Sequence, residues 1–585
     1  MNECNRRPLN DPKILNLCEM KPAISKMLDT VAKELRADFV HYCENLGQAY
    51  ENNIDWWVTD VATRNTIASS LFSNCCRLVL VDRLLNEGHK FNTILVDSRS
   101  LKRDIEQYLQ EHNRAIKVVC QDNKPAGIKD VLKQSNFIRL LYAIWNTFKP
   151  LWTARITEEA RRDFPIEPLI LLDNFIFNNS FINGVFVDRY YPGIEKYLDD
   201  IDLKNIYYLP TYYQINNFRR LFKEIRNSNS NFIIKEDFLK LWDYFFAFGF
   251  YWRAAKLIKN PEPFKGFNIN SMIREQINTN RCASSSFDAL LKYRFAYRLK
   301  KEGIKVSLLV NWFENQVIDH GLNAGFRRWY PDTLVRGYQC WPLSPYYLSL
   351  FSTEQEYRNR VIPKEIAVMG PGYIDDARQF CSSTKVCTAP ALRFIHLWQK
   401  KLSLKDNESG KKAIFIALPY TINETRTIFD YLEIVLEQIP ENEWDILIKP
   451  HPATSWQSIT ALWKGKWPER LVFVEGDTGN ILNKANLVIS MGSSVCLETL
   501  ARGIPLIVIA NPYGITQLYL PPSIPQDMWQ LCYTPQEVLD FINQIATLDE
   551  CTLNVFKQNG EYIKEQFFSR VTQKEVRKFL NIERE

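Results

Sequence analysis

The sequence predicts an α/β protein in which two Rossmann-like domains face one another across a cleft, the first carrying helical insertions. Three observations predict this. The chain has 585 residues, more than one hydrophobic core organises and enough for two α/β domains with additions. Beyond residue 410, short runs that are apolar throughout alternate with helical stretches, the pattern of a parallel sheet buried on both faces. A looser form of the same alternation, broken by long helical stretches, runs from residue 92 to residue 369.

In chain order, residues 23–88 are expected to be helical, with apolar positions at mixed three- and four-residue spacing from Trp56 to Leu85. Strand 92–97, helix 99–111 and strand 116–120 form a strand-helix-strand unit, expected to begin the first Rossmann-like domain. Residues 127–162 interrupt the alternation. Within them Phe137 to Trp152 is rich in Leu, Trp, Tyr and Phe, with Lys133, Arg139, Lys149, Arg155, Arg161 and Arg162 in and around it. Such a stretch is either a core-facing helix with a solvated basic face or an amphipathic segment lying on an anionic bilayer. Strands resume at 169–173 and 206–210, and residues 214–302 read mainly as helix. Further strands are expected at 306–310, 334–338 and 366–369. After the polar stretch 404–410, strands are expected at 413–418, 444–448, 471–474, 487–490 and 506–510. Helices 423–438, 456–463, 481–485 and 495–502 lie between them, the last closed by Gly503. The expected division is a first domain over 1–360, an interdomain region over 361–410, a second domain over 411–560 and a C-terminal helix over 561–585.

Hydrophobic residues make up 46% and charged residues 24%, as in a soluble globular protein. A net charge of +6 is too weak over this length to imply a nucleic-acid partner. The 13 cysteines, Cys75 and Cys76 adjacent, have no zinc-like spacing and suggest free thiols in a reducing cytoplasm. The start has no apolar signal segment, and no run of about 18 apolar residues predicts a spanning helix. The expected location is cytoplasmic, at the inner face of the cell membrane if 127–162 docks there.

Ligands of an open parallel sheet sit beyond the carboxyl ends of its strands. Three loops of the second domain lie at such ends: Leu418-Pro419-Tyr420-Thr421, Lys449-Pro450-His451-Pro452 and Gly492-Ser493-Ser494. Gly492 permits a tight turn. Ser493 and Ser494 then open a helix, where free amides and the helix dipole favour an anion, although either serine could simply cap that helix. His451, held between two prolines, can donate to a phosphate and assist a leaving nucleotide, or pack at the strand end. Lys449 adds charge or is a surface lysine. Glu498, one turn into the helix, accepts ribose hydroxyls or complements the dipole.

The Lys449–Pro452 loop, followed by Ser493-Ser494-Val495-Cys496-Leu497-Glu498 and Gly503-Ile504-Pro505, resembles the paired His-Pro and Ser-Ser motifs of bacterial sialyltransferases, polysialyltransferases and capsule Kdo transferases. The resemblance covers about residues 411–515. The first half resembles more loosely a group of surface-carbohydrate biosynthesis proteins, through Trp312-Phe313-Glu314-Asn315-Gln316 and Arg336-Gly337-Tyr338-Gln339. The resemblance implies a GT-B glycosyltransferase fold. It further implies a CMP-activated nonulosonic acid donor, with His451, Ser493 and Ser494 on its phosphate and Glu498 near ribose or cytosine. A glycan or lipid-linked glycan acceptor is expected, and no cofactor or metal requirement.

An inverting transfer needs a carboxylate base in the first domain. The acidic motif usual in those families is absent. Glu314 is the first candidate, Asp319 beside His320 the second, and Asp97 and Asp173 at strand ends are further options. Asn315, Gln316, His320 and Arg327 are candidates for holding the acceptor, and Thr421 for the nucleotide. Asp200-Ile201-Asp202 matches a metal-binding DxD pattern but sits in a polar connector, which argues for a surface loop. Three alternatives stay open: a CDP-glycerol glycerophosphotransferase, whose usual Asp-Tyr-Ser-Ser form is replaced here by Met491-Gly492-Ser493-Ser494; a sugar-nucleotide epimerase of the same fold; and a non-catalytic assembly scaffold.

Overall fold

The computed structural model describes residues 13–121, 136–157, 164–257, 261–399, 410–452 and 454–582. It opens with strand β1 (Ile14–Asn16), the long helix α1 (Pro22–Gln48) and helix α2 (Leu71–Asn86). Strand β2 (Thr93–Val96), helix α3 (Arg99–Glu111) and strand β3 (Lys117–Cys120) follow. These strands pair in parallel as a separate three-stranded sheet in the order β1-β2-β3. The 92–120 unit therefore does not begin the first large sheet, which corrects the sequence reading. Its short strands are completed by β1, which no apolar alternation announces. This small module leans on the second domain. The Met20 N–H donates to the Pro512 carbonyl at 2.7 Å, and Asp29 accepts from the Thr516 N–H and the Tyr533 hydroxyl at 2.8 and 2.9 Å.

The first large domain contains helix α4 (Asn136–Ile156), strand β4 (Leu169–Ile176), the small hairpin β5 (Phe181–Ile182) and β6 (Val185–Phe186), and strand β7 (Ile206–Tyr212). Helices α5 (Leu241–Phe248), α6 (Phe250–Arg253) and α7 (Ser284–Lys301) come next. They precede strand β8 (Val306–Trp312), helix α8 (Val317–Trp329) and strand β9 (Leu334–Gln339). Strands β10 (Glu365–Val368) and β11 (Lys385–Thr388) complete an all-parallel sheet in the order β11-β10-β9-β8-β4-β7. Part of the segment expected to join the domains thus belongs to the first sheet. The stretch 404–410 lies outside the described residues except for Gly410. Helices α7 and α8 pack closely because α8 carries Gly321; a Cβ there would fall 2.0 Å from the Ala289 carbonyl oxygen.

The second domain follows its sequence pattern closely. Strand β12 (Lys412–Ala417), helix α9 (Ile422–Val435), strands β13 (Trp444–Lys449), β14 (Leu471–Phe473) and β15 (Leu487–Ser490), helix α10 (Val495–Leu500), and strands β16 (Leu506–Ile509) and β17 (Trp529–Cys532) form it. The strands are apolar because helices cover both faces: every residue of β15 and β16 is buried. Their order, β14-β13-β12-β15-β16-β17, is the doubly wound Rossmann order. Helix α11 (Glu550–Phe567) lies on this domain, and the chain then returns to the first. The Ser569 N–H donates to the Met369 carbonyl at 2.7 Å, and helix α12 (Gln573–Phe579) is clamped by Arg336, which donates to the Phe579 carbonyl, and by an Arg577–Asp202 bond of 2.6 Å. Asp202 is thus a buried anchor rather than part of a surface loop. Two parallel α/β domains with a C-terminal return to the first form the expected GT-B arrangement. No helix among the described residues is long and apolar enough to cross a membrane.

Candidate functional site

Where the strand order of a parallel sheet reverses, neighbouring strands send their loops to opposite faces and a crevice opens beyond their carboxyl ends. In the second domain the reversal lies between β12 and β15; in the first it lies between β4 and β8. Residues singled out in the sequence gather at both places.

In the second domain, Ala417 is the register partner of both Lys449 and Ser490. The loops after β12, β13 and β15 therefore leave side by side from one level. The two flanking strands are about 10 Å apart, twice the spacing of paired strands. His451 packs edge-on against the Tyr420 ring, 5.3 Å between centroids. Burial lowers its pKa below the ordinary imidazole value. Gly492 has φ +58°, the left-handed conformation that a tight turn here requires. Ser493 Oγ accepts from the Val495 N–H at 3.4 Å, whereas the Ser494 side chain makes no cap to α10. Helix α10 ends at Leu500, two residues short of the expected 502, as the chain turns into Gly503 at φ +74°.

Other second-domain candidates are differently engaged. Lys449 Nζ donates to the Gly476 carbonyl and Thr478 Oγ1 at 2.6 and 2.9 Å, bracing the loop after β14 rather than reaching the crevice. Glu498 Oε2 lies 2.8 Å from Nε2 of His396, which belongs to the last segment of the first domain, so this carboxylate ties the two domains. Pro452 is exposed and shapes the loop. Thr421 does not cap α9; its hydroxyl donates to Glu424 Oε2 at 2.6 Å. Glu424 is a further candidate that the sequence reading missed. Its Oε1 is the atom nearest to where a Cβ on Gly492 would lie, at 3.6 Å, and burial raises its pKa. The Thr-x-x-Glu spacing reads as an ordinary helix cap, which concealed it.

In the first domain, the reversal opens into a cavity of about 710 Å³. Phe175 and Phe177 line it from the end of β4, Tyr212 from β7, and Glu314 and Gln316 from the loop after β8. Glu314 accepts from Trp312 Nε1 at 3.0 Å, from the Tyr347 hydroxyl at 3.2 Å and from Gln316 Nε2. Burial raises its pKa above the ordinary carboxylate value, against those donors and the charge of Arg393. A half-buried, oriented carboxylate facing a cavity has the properties of a general base.

The remaining first-domain candidates do not reach this cavity. Asp319 accepts from the backbone N–H groups of Gln316 and Glu314 at 2.9 and 3.2 Å and so shapes the loop that carries Glu314. Burial and the nearby Asp173 push its pKa up to about 7. His320 and Asn315 are fully buried. The His320 ring nitrogens lie 2.6 Å from the Trp57 carbonyl and 2.8 Å from Asn315 Oδ1, with Glu356 Oε1 at 3.2 Å. Arg327 donates to the Ile362 carbonyl at 2.9 Å and stacks on Tyr357. These three hold the core, because α8 and the loop before it turn polar residues inward onto Glu356 and the chain around it. Asp173 is fully buried against Lys292 at 3.0 Å, and Asp97 pairs with Arg77 at 2.9 Å. The opposite cavity wall holds groups without any motif: Lys235 Nζ lies 3.0 Å from both Glu236 and Asp288, and the Tyr212 hydroxyl donates to Glu236 at 3.0 Å.

The two crevices adjoin. Ser344, beyond β9, donates to Gln517, beyond β16, at 2.8 Å. Tyr519, in the same loop as Gln517, has its pKa pushed up to about 12 by burial and by the charges of Glu424 and Glu314. One tyrosine thus senses a carboxylate from each domain.

No family model matches the chain, and no curated protein matches it. Several solved structures are similar. A MnaA–UDP co-structure from S. aureus is 10% identical, with a TM-score of 0.42 over 72% of this chain and 98% of that one. The UDP-GlcNAc 2-epimerase of Neisseria meningitidis bound to UDP-GlcNAc is 10% identical, with a TM-score of 0.39 over 71% of this chain and 99% of that one. The wall teichoic acid polymerase TagF is 10% identical, with a TM-score of 0.36 over 76% of this chain and 97% of that one. Likeness at this level assigns neither substrate nor reaction.

Proposed function

We propose that the protein is a glycosyltransferase that moves a sugar from a nucleotide donor, held by the second domain, to a glycan acceptor held in the first. The observation that carries this reading is the position of Glu314. Its carboxylate is half-buried, oriented by three donors and faces an aromatic-lined cavity. Aromatic walls suit the apolar faces of sugar rings. An epimerase has no second substrate to accommodate, so a cavity of about 710 Å³ beyond the first sheet favours transfer.

In this reading His451, Ser493 and Ser494 hold the donor phosphate and Gly492 lets the backbone approach it; Glu314 takes the proton of the acceptor hydroxyl as that oxygen attacks the anomeric carbon, and the bond from that carbon to the phosphate oxygen breaks, the electron pair leaving with the nucleotide. The donor is a CMP-activated nonulosonic acid, a choice that rests on the His-Pro and Ser-Ser motif pair. Donor turnover with CMP-sugars, UDP-sugars and CDP-glycerol, in wild type and His451→Ala, tests it. Turnover of CMP-sugars that His451→Ala abolishes supports the reading. Turnover confined to UDP-sugars or CDP-glycerol replaces the donor, and no turnover or binding of any nucleotide overturns the transferase.

A further inference from the structure

Helix α4 presents three rows. Leu140, Ala143, Thr147, Leu151 and Ala154 are buried. Tyr142, Asn146 and Lys149 line the cavity of the first domain. The third row, Phe137, Leu141, Trp145, Trp152 and Ile156, is apolar, and every member is at least half exposed. Those positions share one face at helical spacing. Helix α5 continues the pattern beside it. Phe148 of α4 and Tyr244 of α5 meet edge to face at 5.6 Å, and both helices lay their inner sides on α7. The outer residues of α5 and α6 are again large and apolar: Trp242 is 76% exposed, Phe245 64% and Trp252 65%.

The charges of this face are one-sided. Helix α4 contains Arg139, Lys149 and Arg155 and no acid. The only acid of α5 and α6, Asp243, is buried and held by Arg294 and Arg298, each at 2.7 Å. Among the described residues of α4, α5 and α6, an exposed aromatic ridge carries basic residues and no exposed acid, which matches an anionic lipid surface. Trp rings suit the headgroup layer because their apolar bodies and N–H groups are both satisfied there.

We propose that α4, α5 and α6 form a docking face for an anionic lipid bilayer. The helices lie on the surface and do not span it, since α4 buries one side in the protein. Resting on the acceptor reading of the cavity, a consequence follows for the substrate. Tyr142 stands on the cavity rim next to the exposed row, so docking holds the mouth at the membrane and the acceptor is a lipid-anchored glycan.

Co-sedimentation of the full chain with phosphatidylcholine vesicles, with and without phosphatidylglycerol, tests the docking face independently of any activity. The full chain is expected to sediment with the anionic vesicles and to be released by salt. Trp145→Glu with Trp152→Glu, and separately Trp242→Glu with Phe245→Glu, are each expected to lower partition about tenfold or more. Unchanged melting temperatures show that the variants remain folded. Arg139→Glu with Arg155→Glu is a second probe that leaves the apolar ridge intact and is expected to weaken anionic binding alone. Absence of binding by wild type, equal binding to neutral vesicles, or wild-type partition by the variants overturns the proposal. Self-association of wild type that the Trp variants abolish also overturns it, because a second copy would then be the occupant. Vesicle binding together with failure of every nucleotide to bind would sink the transferase and leave the docking face standing.

Discussion

Replacing Glu356 with glutamine separates the core-forming residues from the site. Glu356 is fully buried; its carboxylate accepts from Arg64 Nη2 at 2.8 Å, from Asn315 at 3.1 Å and from the Thr353 N–H at 2.7 Å, and lies 3.2 Å from His320. Burial alone would raise its pKa, but Arg64 and His320 prevail and hold it at about 2, against an ordinary value of 4.5. At about 1.4 kcal/mol per unit, that difference is worth roughly 3 kcal/mol to the folded state. The sign follows from a depressed acid. The contribution is fully present above the unfolded value and is lost as pH falls from about 5 towards 2. Glu356→Gln also leaves the Arg64 charge poorly matched, so a loss of roughly 3–5 kcal/mol at pH 7 is expected. Thermal unfolding at pH 7 and pH 3 measures it. The variant should melt about 6 °C or more below wild type at pH 7, and the gap should narrow at pH 3. A variant that melts with wild type at pH 7, or a gap that stays constant with pH, refutes the assignment.

Other expectations follow from the same contacts. Glu314→Gln should cut transfer by about 10²–10⁴-fold without changing nucleotide affinity; in wild type the acid-side limb of the rate profile should rise at a pH above the ordinary carboxylate range, because burial raises the Glu314 pKa and only the ionised form accepts a proton. Lys449→Ala should leave nucleotide affinity within about threefold, since its ammonium is held by Gly476 and Thr478; an isothermal titration showing a much larger loss would place it in the site. Gly321→Ala should destabilise the first domain by about 1–3 kcal/mol or more, read by chemical denaturation, because its methyl must displace the Ala289 backbone.

The second domain was largely legible because a sheet buried on both faces writes itself as uninterrupted apolar strands, such as Ala413–Ala417 and Leu487–Ser490. Loop positions at strand ends followed from that, and so did His451, Gly492 and the serines. The direction of a long side chain did not. Lys449 turned to a neighbouring loop, and Glu498 turned to His396 across the domain boundary. In the first domain, periodicity located β8 and Glu314, yet a helix pattern that buries polar residues gives no sign of which face meets solvent. His320 and Asn315 therefore looked like site residues and are core. Lys235, Glu236 and Asp288 were invisible because only the fold brings them together at one cavity wall. The first small sheet was misassigned because pairing partners among short parallel strands are a long-range property that local pattern does not carry.

Whether the loops after β12, β13 and β15 hold a nucleotide phosphate is tested most directly by calorimetric titration of CMP into wild type and Ser494→Ala. Wild type should bind, and the variant, lacking one charge-assisted hydrogen bond, should bind about 1–3 kcal/mol more weakly. Equal affinity in the two proteins, or no binding of CMP by wild type, would contradict it.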